Sequence, residues 1–221
     1  MIRIFIGLIL FAIGIINLMA QSDIKFKIDA IPHELRWNKI PAEYNYSDRK
    51  LSILAGPKTD LFIDPRGGYT FLNSPRCLFE MNDYFQLACK VKVNFKTDYD
   101  AGVLIVYLDD NHWAKLCFEY SPQGQPMVVS VVTNDNSDDA NGSFIEGDEV
   151  YLRISGLKGA YAFHFSADGK SWNLVRYFSL RSKEPVNIGF SSQSPTGESC
   201  KSVFSDIVFK KEQLIELRDG S

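Results

Sequence analysis

The stretch from Thr97 to Thr133 constrains the fold most strongly, because it holds three apolar runs separated by two polar turns. The runs cover residues 103–108, 113–120 and 127–133. Asp-Asp-Asn-His separates the first two runs, and Ser-Pro-Gln-Gly-Gln-Pro separates the second from the third. Both separators are rich in residues that favour turns. The stretch therefore predicts an antiparallel meander at the centre of a sheet.

The middle run alternates between two kinds of side chain, and successive side chains of a strand point to opposite faces. One face carries Trp113, Lys115, Cys117 and Glu119. The other face carries Ala114, Leu116, Phe118 and Tyr120. The second set is predicted to lie in the core, which leaves a tryptophan and two opposite charges on the first face.

The rest of the chain reads as about a dozen short strands without a convincing long helix, a pattern typical of an antiparallel two-sheet sandwich. Residues 134–143 form the most polar stretch and are predicted to be a loop. Residues 58–68 contain one apolar triplet and end in a turn or loop. Residues 212–218 are interpreted as a short helix or a frayed end.

The N-terminus predicts a secretory signal peptide over residues 1–20. Arg3 precedes a nearly unbroken apolar run, and the small residue Ala20 marks the expected cleavage point. The alternative is an uncleaved anchor, although the run is short for a membrane span of about 20 residues. Cleavage predicts a secreted or periplasmic protein without stable membrane insertion. The domain prediction then has a lead-in strand over 21–34, one sandwich domain over 35–210 and a tail over 211–221.

The net charge and the cysteine pattern argue against nucleic-acid binding and against a cysteine metal site. The formal net charge is −3 and no basic run occurs, so nucleic acid is not an expected partner. The four cysteines match no metal-binding spacing. Cys77 and Cys200 lie in loop-like sequence and are the better candidates for a disulfide in an oxidising compartment. Four buried free thiols are the alternative.

The sequence lacks the usual patterns of catalysis and metal binding, so neither a catalytic residue nor a metal or other cofactor is predicted. Two carboxylates at short alternating spacing on one strand would indicate a retaining glycosidase, and Glu119 has no such partner. Asn134, Asn136 and Asp138 have calcium-loop spacing, but the following glycine and the later bidentate acid are missing. A solvated loop is the preferred interpretation.

The polar face of the middle run is the best candidate for ligand binding. Trp113 would supply an aromatic platform, while Lys115, Glu119, Arg153 and His164 would supply polar groups along one sheet. Because side chains alternate along a strand, Lys115, Glu119 and Arg153 are predicted to share one face of a sheet. Apolar residues that alternate with them are predicted to be buried on the other face. Those buried residues are Leu116, Phe118, Leu152 and Ile154. The alternative is an exposed lysine and glutamate of little energetic consequence.

Seven segments in order resemble a concanavalin A-like domain family of unknown function, the regulation-of-enolase-like family. They are WNKIPAEY (37–44), KTDLFIDP (58–65), YDAGVLIVYLDDNHWAKLCFEY (99–120), SVVTNDNSDD (130–139), LRIS (152–155), FSADGKSWNLVR (165–176) and IGFSSQSPTG (188–197). The chain is also similar to the C-terminal module of some β-xylosidases. The resemblance implies a jelly-roll sandwich with one concave sheet. The family usually shows a tryptophan where Asp139 stands, which weakens a ligand role for that segment.

Together these patterns favour a secreted, non-catalytic domain that binds carbohydrate or a glycan-bearing surface through the concave sheet. The ligand class is an expectation from the resemblance in fold. A protein-interaction or structural module without glycan affinity is the alternative, and a glycoside-active enzyme with an unrecognised site is the second.

Overall fold

The computed structural model describes residues 24–180 and 185–221, and within these ranges it contains strands but no helix. The early strands are β1 (Lys25–Lys27), β2 (Glu34–Lys39), β3 (Glu43–Ser47), β4 (Lys50–Ala55), β5 (Leu61–Ile63), β6 (Thr70–Leu72), β7 (Arg76–Met81) and β8 (Phe85–Asn94). The central strands are β9 (Ala101–Asp109), β10 (His112–Tyr120), β11 (Pro126–Asn134) and β12 (Asn136–Phe144). The late strands are β13 (Glu149–Gly156), β14 (Tyr161–Ser166), β15 (Asn173–Phe178), β16 (Val186–Gln193) and β17 (Cys200–Lys210).

Two large antiparallel sheets form the domain. The eight-stranded sheet has the order β1-β2-β7-β16-β9-β10-β11-β12, and the seven-stranded sheet has the order β15-β14-β13-β8-β17-β4-β3. Strands β9, β10 and β11 pair in sequence, as expected for the meander. The predicted all-β sandwich of two antiparallel sheets is therefore confirmed.

The main core lies between the two sheets. Leu116 and Phe118 of β10 and Leu152 and Ile154 of β13 are fully buried in it. The predicted burial of these four residues is confirmed. The prediction succeeds because alternate residues of a strand point to the same side.

A second apolar cluster lies on the outer face of the eight-stranded sheet, where a polar face is predicted from β10 alone. Its sheet residues are Leu78, Ala101, Val103, Ile105, Tyr107, Trp113, Cys117, Met127, Val129 and Val131. The β5–β6 hairpin packs on this cluster, with Leu61 buried in it and Leu72 packed against it. The hairpin is also tied to the sheet edge, because the Ile63 amide donates a hydrogen bond to Ser137 Oγ at 2.9 Å.

The predicted loop at 134–143 is wrong, since most of it forms β12 at the edge of the eight-stranded sheet. Most side chains of this strand are exposed on both sides. A strand with two solvated faces shows no apolar alternation, and polar residues at a sheet edge also discourage pairing with another chain.

The tail after β17 is neither a helix nor a frayed end. It packs on the outer face of the seven-stranded sheet, where Leu214 is buried. The carbonyl oxygens of Leu217 and Gly220 accept hydrogen bonds from side chains of that sheet.

The predicted Cys77–Cys200 disulfide is also wrong, because all four cysteines are free and buried. Cys77 lies within β7 and Cys200 begins β17, so the two residues belong to different sheets. Both side chains pack in the apolar core between the sheets and not in the loops that the sequence indicated. Phe190 and Phe204 also lie in this core, where their rings meet edge to face with centroids 5.1 Å apart.

The predicted signal peptide, residues 1–20, lies outside the described residues. The described residues contain no candidate membrane-spanning helix.

Candidate functional site

The five residues predicted to form one binding face lie on two different sheets. Trp113, Lys115 and Glu119 belong to β10 in the eight-stranded sheet, whereas Arg153 and His164 belong to β13 and β14 in the seven-stranded sheet. The prediction of one shared face is therefore wrong. Parity tells which side of its own strand a residue occupies, but it does not tell which sheet the strand joins.

Lys115 holds the hairpin and is not open to a ligand. Its side chain is 4% exposed, and its Nζ donates to Asp60 Oδ1 at 2.9 Å. A second hydrogen bond of 3.0 Å reaches Gln193 Oε1. Burial alone would lower the pKa of Lys115, but Asp60, together with Cys117 and Glu119, outweighs this effect and raises the pKa. The charge of Lys115 is therefore neutralised inside the protein.

Trp113 is fully buried in the outer cluster, so it offers no platform for stacking. Its indole Nε1 has no hydrogen-bond partner among the described residues. Its packing against the sheet and the hairpin makes it a structural residue of the covered face.

Glu119 is a buried acid at the end of the same face. Burial raises the pKa of its carboxyl group to about 8; Lys115 opposes this, while Asp139 and Asp60 add to it. No hydrogen bond or ion pair reaches the carboxyl group within residues 24–180 and 185–221. Glu119 is therefore mainly protonated near neutral pH and could both donate and accept a hydrogen bond.

Arg153 and His164 lie beneath the tail on the outer face of the seven-stranded sheet. His164 Nε2 donates to the Leu217 carbonyl at 2.8 Å, and burial lowers the pKa of the imidazole. Arg153 Nη2 donates to the Gly220 carbonyl at 2.5 Å. The guanidinium of Arg153 also lies 4.2 Å from the ring centroid of Trp172.

The part of the eight-stranded sheet beyond the hairpin forms an open groove of about 820 Å³. Its sheet residues come from neighbouring strands, since Arg36 of β2 pairs with Leu78 of β7 and Asn187 of β16 pairs with both Glu80 and Tyr107. The lining residues are Pro32, His33, Glu34, Arg36, Trp37, Asn38, Leu78, Phe79, Glu80, Asn82, Tyr107 and Asn187. Guanidinium, carboxylate and amide groups thus line the same groove.

Tyr107 is held rigidly in this groove. Its hydroxyl donates to Asp110 Oδ1 at 2.6 Å. The buried guanidinium of Arg76 lies 4.7 Å from its ring centroid, and Arg76 Nη1 donates to the Ser74 carbonyl at 3.0 Å. Burial and the hydrogen bond to Asp110 raise the pKa of Tyr107 to about 12. Tyr107 therefore stays a neutral phenol at physiological pH.

Sequence reasoning did not identify the groove. A signal was present in β2, where exposed Arg36 and Asn38 alternate with buried Leu35 and Trp37. Pairing between β2 and β7 was the missing information, because a strand pattern does not specify its neighbours.

Comparison with known proteins confirms the resemblance. The model of a family described as proteins of unknown function, DUF1349, matches residues 37–212. The chain belongs to the DUF1349 family. Regulation of enolase protein 1 from Saccharomyces cerevisiae is 26% identical over 171 residues, which cover 77% of this chain and 86% of that protein.

Solved structures agree with this DUF1349 assignment. A crystal structure of a functionally unknown protein from Saccharomyces cerevisiae has a TM-score of 0.73 at 26% identity, covering 80% of this chain and 95% of that chain. Xylan β-1,4-xylosidase from Bacillus halodurans C-125 has a TM-score of 0.64 at 14% identity, covering 79% of this chain and 36% of that chain. The second likeness shows a shared sandwich fold.

The ion pair of Lys115 and Asp60 predicts a strong penalty for removing one partner. Asp60→Asn should destabilise the domain by about 3 kcal/mol, because it leaves a buried lysine without its counter-charge. The double variant Asp60→Asn/Lys115→Met should recover much of this loss, since it also removes the buried charge. Urea unfolding of the single and double variants measures both effects.

An exposed ion pair of similar length provides the control. Lys92 Nζ lies 3.0 Å from Asp148 Oδ2, and both side chains are more than half exposed. Asp148→Asn should change stability by less than about 1 kcal/mol. Equal losses in Asp60→Asn and Asp148→Asn would show that Lys115 is not buried in the folded protein.

The raised pKa of Glu119 predicts a pH-dependent effect of Glu119→Gln. The folded protein binds the extra proton between the ordinary value of 4.5 and about 8, so the stability that protonated Glu119 contributes is lost as pH rises through about 8. Glu119→Gln lacks this loss. Relative to the original protein, the variant should therefore gain on the order of 1–3 kcal/mol between pH 5 and pH 9.

Urea unfolding at several pH values tests this prediction. Asp83→Asn is a control that should lack the gain, because the exposed Asp83 carboxyl has a lowered pKa through the Tyr84 amide. A stability difference between Glu119→Gln and the original protein that stays constant with pH would rule out a desolvated carboxyl group at Glu119.

Proposed function

We propose that this DUF1349 domain binds carbohydrate without catalysis, and that the groove on the eight-stranded sheet is its binding site. One observation carries the proposal: the open part of this sheet gathers amide, carboxylate and guanidinium groups around about 820 Å³ of space. Ligand sites in proteins commonly measure about 300–1,000 Å³.

The chemistry of the groove suits hydroxyl-rich ligands. Asn38 and Asn187 offer amides that both donate and accept, Glu80 offers an acceptor and Arg36 offers several donors. Sugar hydroxyls both donate and accept hydrogen bonds, so they need acceptors as well as donors in the protein. Opposite charges are present together in the groove, so a neutral sugar chain fits it better than a highly charged ligand.

Aromatic stacking contributes little to sugar binding in this groove. Tyr107 is mostly buried and Trp37 is fully buried, so the groove presents little open ring surface for stacking. Hydrogen bonds are therefore the main source of affinity, and each contributes only about 0.5–1.5 kcal/mol net. We expect weak binding that increases with the length of the sugar chain.

Two further observations support a non-catalytic carbohydrate-binding role. Sandwich modules of the same fold occur in proteins described as GH43 enzymes, including a xylan β-1,4-xylosidase. The carboxyl groups of Glu119 and Asp139, whose pKa values burial raises, do not line the groove. The proposal includes secretion or export to the periplasm, on the basis of the apolar N-terminal sequence.

The test is isothermal titration with xylohexaose, followed by titration against a panel of plant, animal and bacterial glycans. Asn187→Ala should weaken binding about threefold and Arg36→Ala about tenfold, as expected for a neutral and a charged hydrogen bond. Asn141→Ala is the matched control, because this exposed asparagine lies in β12 of the same sheet, outside the groove.

Thermal unfolding of each variant shows whether the fold is intact. A folded protein that binds no glycan of the panel would contradict the proposal and favour a protein-interaction module. Binding that Asn187→Ala and Arg36→Ala leave unchanged would place the site elsewhere on the domain.

A further inference from the structure

A second, smaller pocket of about 310 Å³ lies on the outer face of the opposite, seven-stranded sheet. Gln86, Tyr151, Arg153, Trp172 and Lys210 are among the residues that line it. Neighbouring strands bring them together, because β13 pairs with β8 and β8 pairs with β17. The pocket is separate from the groove, which lies on the eight-stranded sheet.

Arg153 is a buried cation without a counter-ion. Only 6% of the residue is exposed, and no carboxylate lies within ion-pair distance of its guanidinium in the described parts of the chain. Burial lowers its pKa to about 10, and no neighbouring acid offsets this. An unpaired buried charge is costly, so an unpaired arginine that lines a pocket points to an anionic partner.

The hydrogen bonds of this guanidinium are incomplete. Nη2 donates to the Gly220 carbonyl, whereas Nη1 reaches Gln86 Oε1 only at 3.4 Å, beyond the usual range for such a bond. Nε is buried and has no partner. The planar group is held in position by Trp172, whose ring centroid lies 4.2 Å from Cζ. A ligand acceptor closer than Gln86 would give Nη1 a full hydrogen bond.

The other charged groups of the pocket leave it favourable for an anion. Lys210 supplies a second ammonium group, which lies 3.9 Å from the exposed Glu212. Asp206 is the acid that lines the pocket, and it is engaged by the Tyr151 hydroxyl at 2.9 Å and by Lys90 Nζ at 3.5 Å. His164, the neighbour of Arg153 in β14, has a lowered pKa and is neutral near pH 7.

We propose that the pocket between Arg153 and Trp172 binds a small ring-shaped ligand through its carboxylate. Arg153 and Lys210 donate to the carboxylate, an arrangement that favours a planar anion because a guanidinium binds carboxylates with two parallel N–H groups. Trp172 and Tyr151 pack against the ring. The volume is near the lower limit of about 300 Å³ for ligand pockets, so the pocket holds one ring and not a chain.

Intrinsic tryptophan fluorescence provides the readout. Trp172 is partly exposed, while Trp37 and Trp113 are fully buried, so a ligand in this pocket changes mainly the Trp172 signal. The probes are glucuronate and cyclohexanecarboxylate, with glucose and cyclohexanemethanol as neutral counterparts. We expect a saturable change with at least one acid and none with its neutral counterpart. Saturation by glucuronate alone identifies an acidic sugar, and saturation by both acids identifies ring carboxylates in general.

Three variants assign the effect to the pocket. Arg153→Lys should weaken binding on the order of tenfold, because an ammonium cannot form the paired hydrogen bonds of the guanidinium. Lys210→Gln should weaken binding about threefold. It should leave the stability of the fold nearly unchanged, since Lys210 is exposed on β17. Lys201→Gln is the matched control, an exposed lysine of the same strand that does not line the pocket.

Trp172→Leu should abolish the fluorescence change. If Arg153→Lys is unfolded by circular dichroism, Lys210→Gln and the loss of affinity at high salt decide the question. The proposal is overturned if neither acid saturates the folded protein, if the neutral counterparts act equally, or if Lys210→Gln binds as tightly as Lys201→Gln. These outcomes are independent of glycan binding in the groove, which Arg36→Ala and Asn187→Ala report.

Discussion

The buried ion pair of Lys115 and Asp60 is the contact on which the outer face of the eight-stranded sheet depends. This face carries an apolar cluster that would otherwise meet water, and the β5–β6 hairpin covers it. A lysine in such a place needs a counter-charge, which the hairpin supplies through Asp60 at 2.9 Å. The pair therefore joins a chain segment of little secondary structure to the centre of the sheet, and it helps to determine which part of the face is closed and which remains open.

This division of the face leaves a polar groove of about 820 Å³ open on the eight-stranded sheet. Most sheet residues of the covered cluster come from β9, β10 and β11, whereas β2, β7 and β16 contribute polar side chains to the open groove. The opposite sheet has a similar division on a smaller scale. Its tail binds Arg153 and His164 through carbonyl oxygens, and a pocket beside Trp172 remains. Each outer face thus combines a covered region with a polar opening.

The sequence predicted the fold well and the site poorly, for a single physical reason. Alternation identifies the inward side of a strand, so the burial of Phe118 and Ile154 followed from β10 and β13 alone. It does not identify the neighbours of a strand, so it predicts one face for Lys115 and Arg153 although these residues lie in different sheets. Nor does it show what covers a face. The partner of Lys115 is 55 residues away in sequence, and no local pattern marks Asp60 as that partner.

Hydrogen–deuterium exchange of the hairpin amides tests most directly whether the hairpin closes this face. The amide of Ile63 donates to Ser137 Oγ, that of Asp64 to the Tyr69 carbonyl and that of Asn73 to the Asp60 carbonyl. If the hairpin is packed on the sheet, these three amides should exchange far more slowly than those of an unstructured peptide. Exchange at the rate of an unstructured peptide, in a protein whose β10 amides remain protected, would contradict the account.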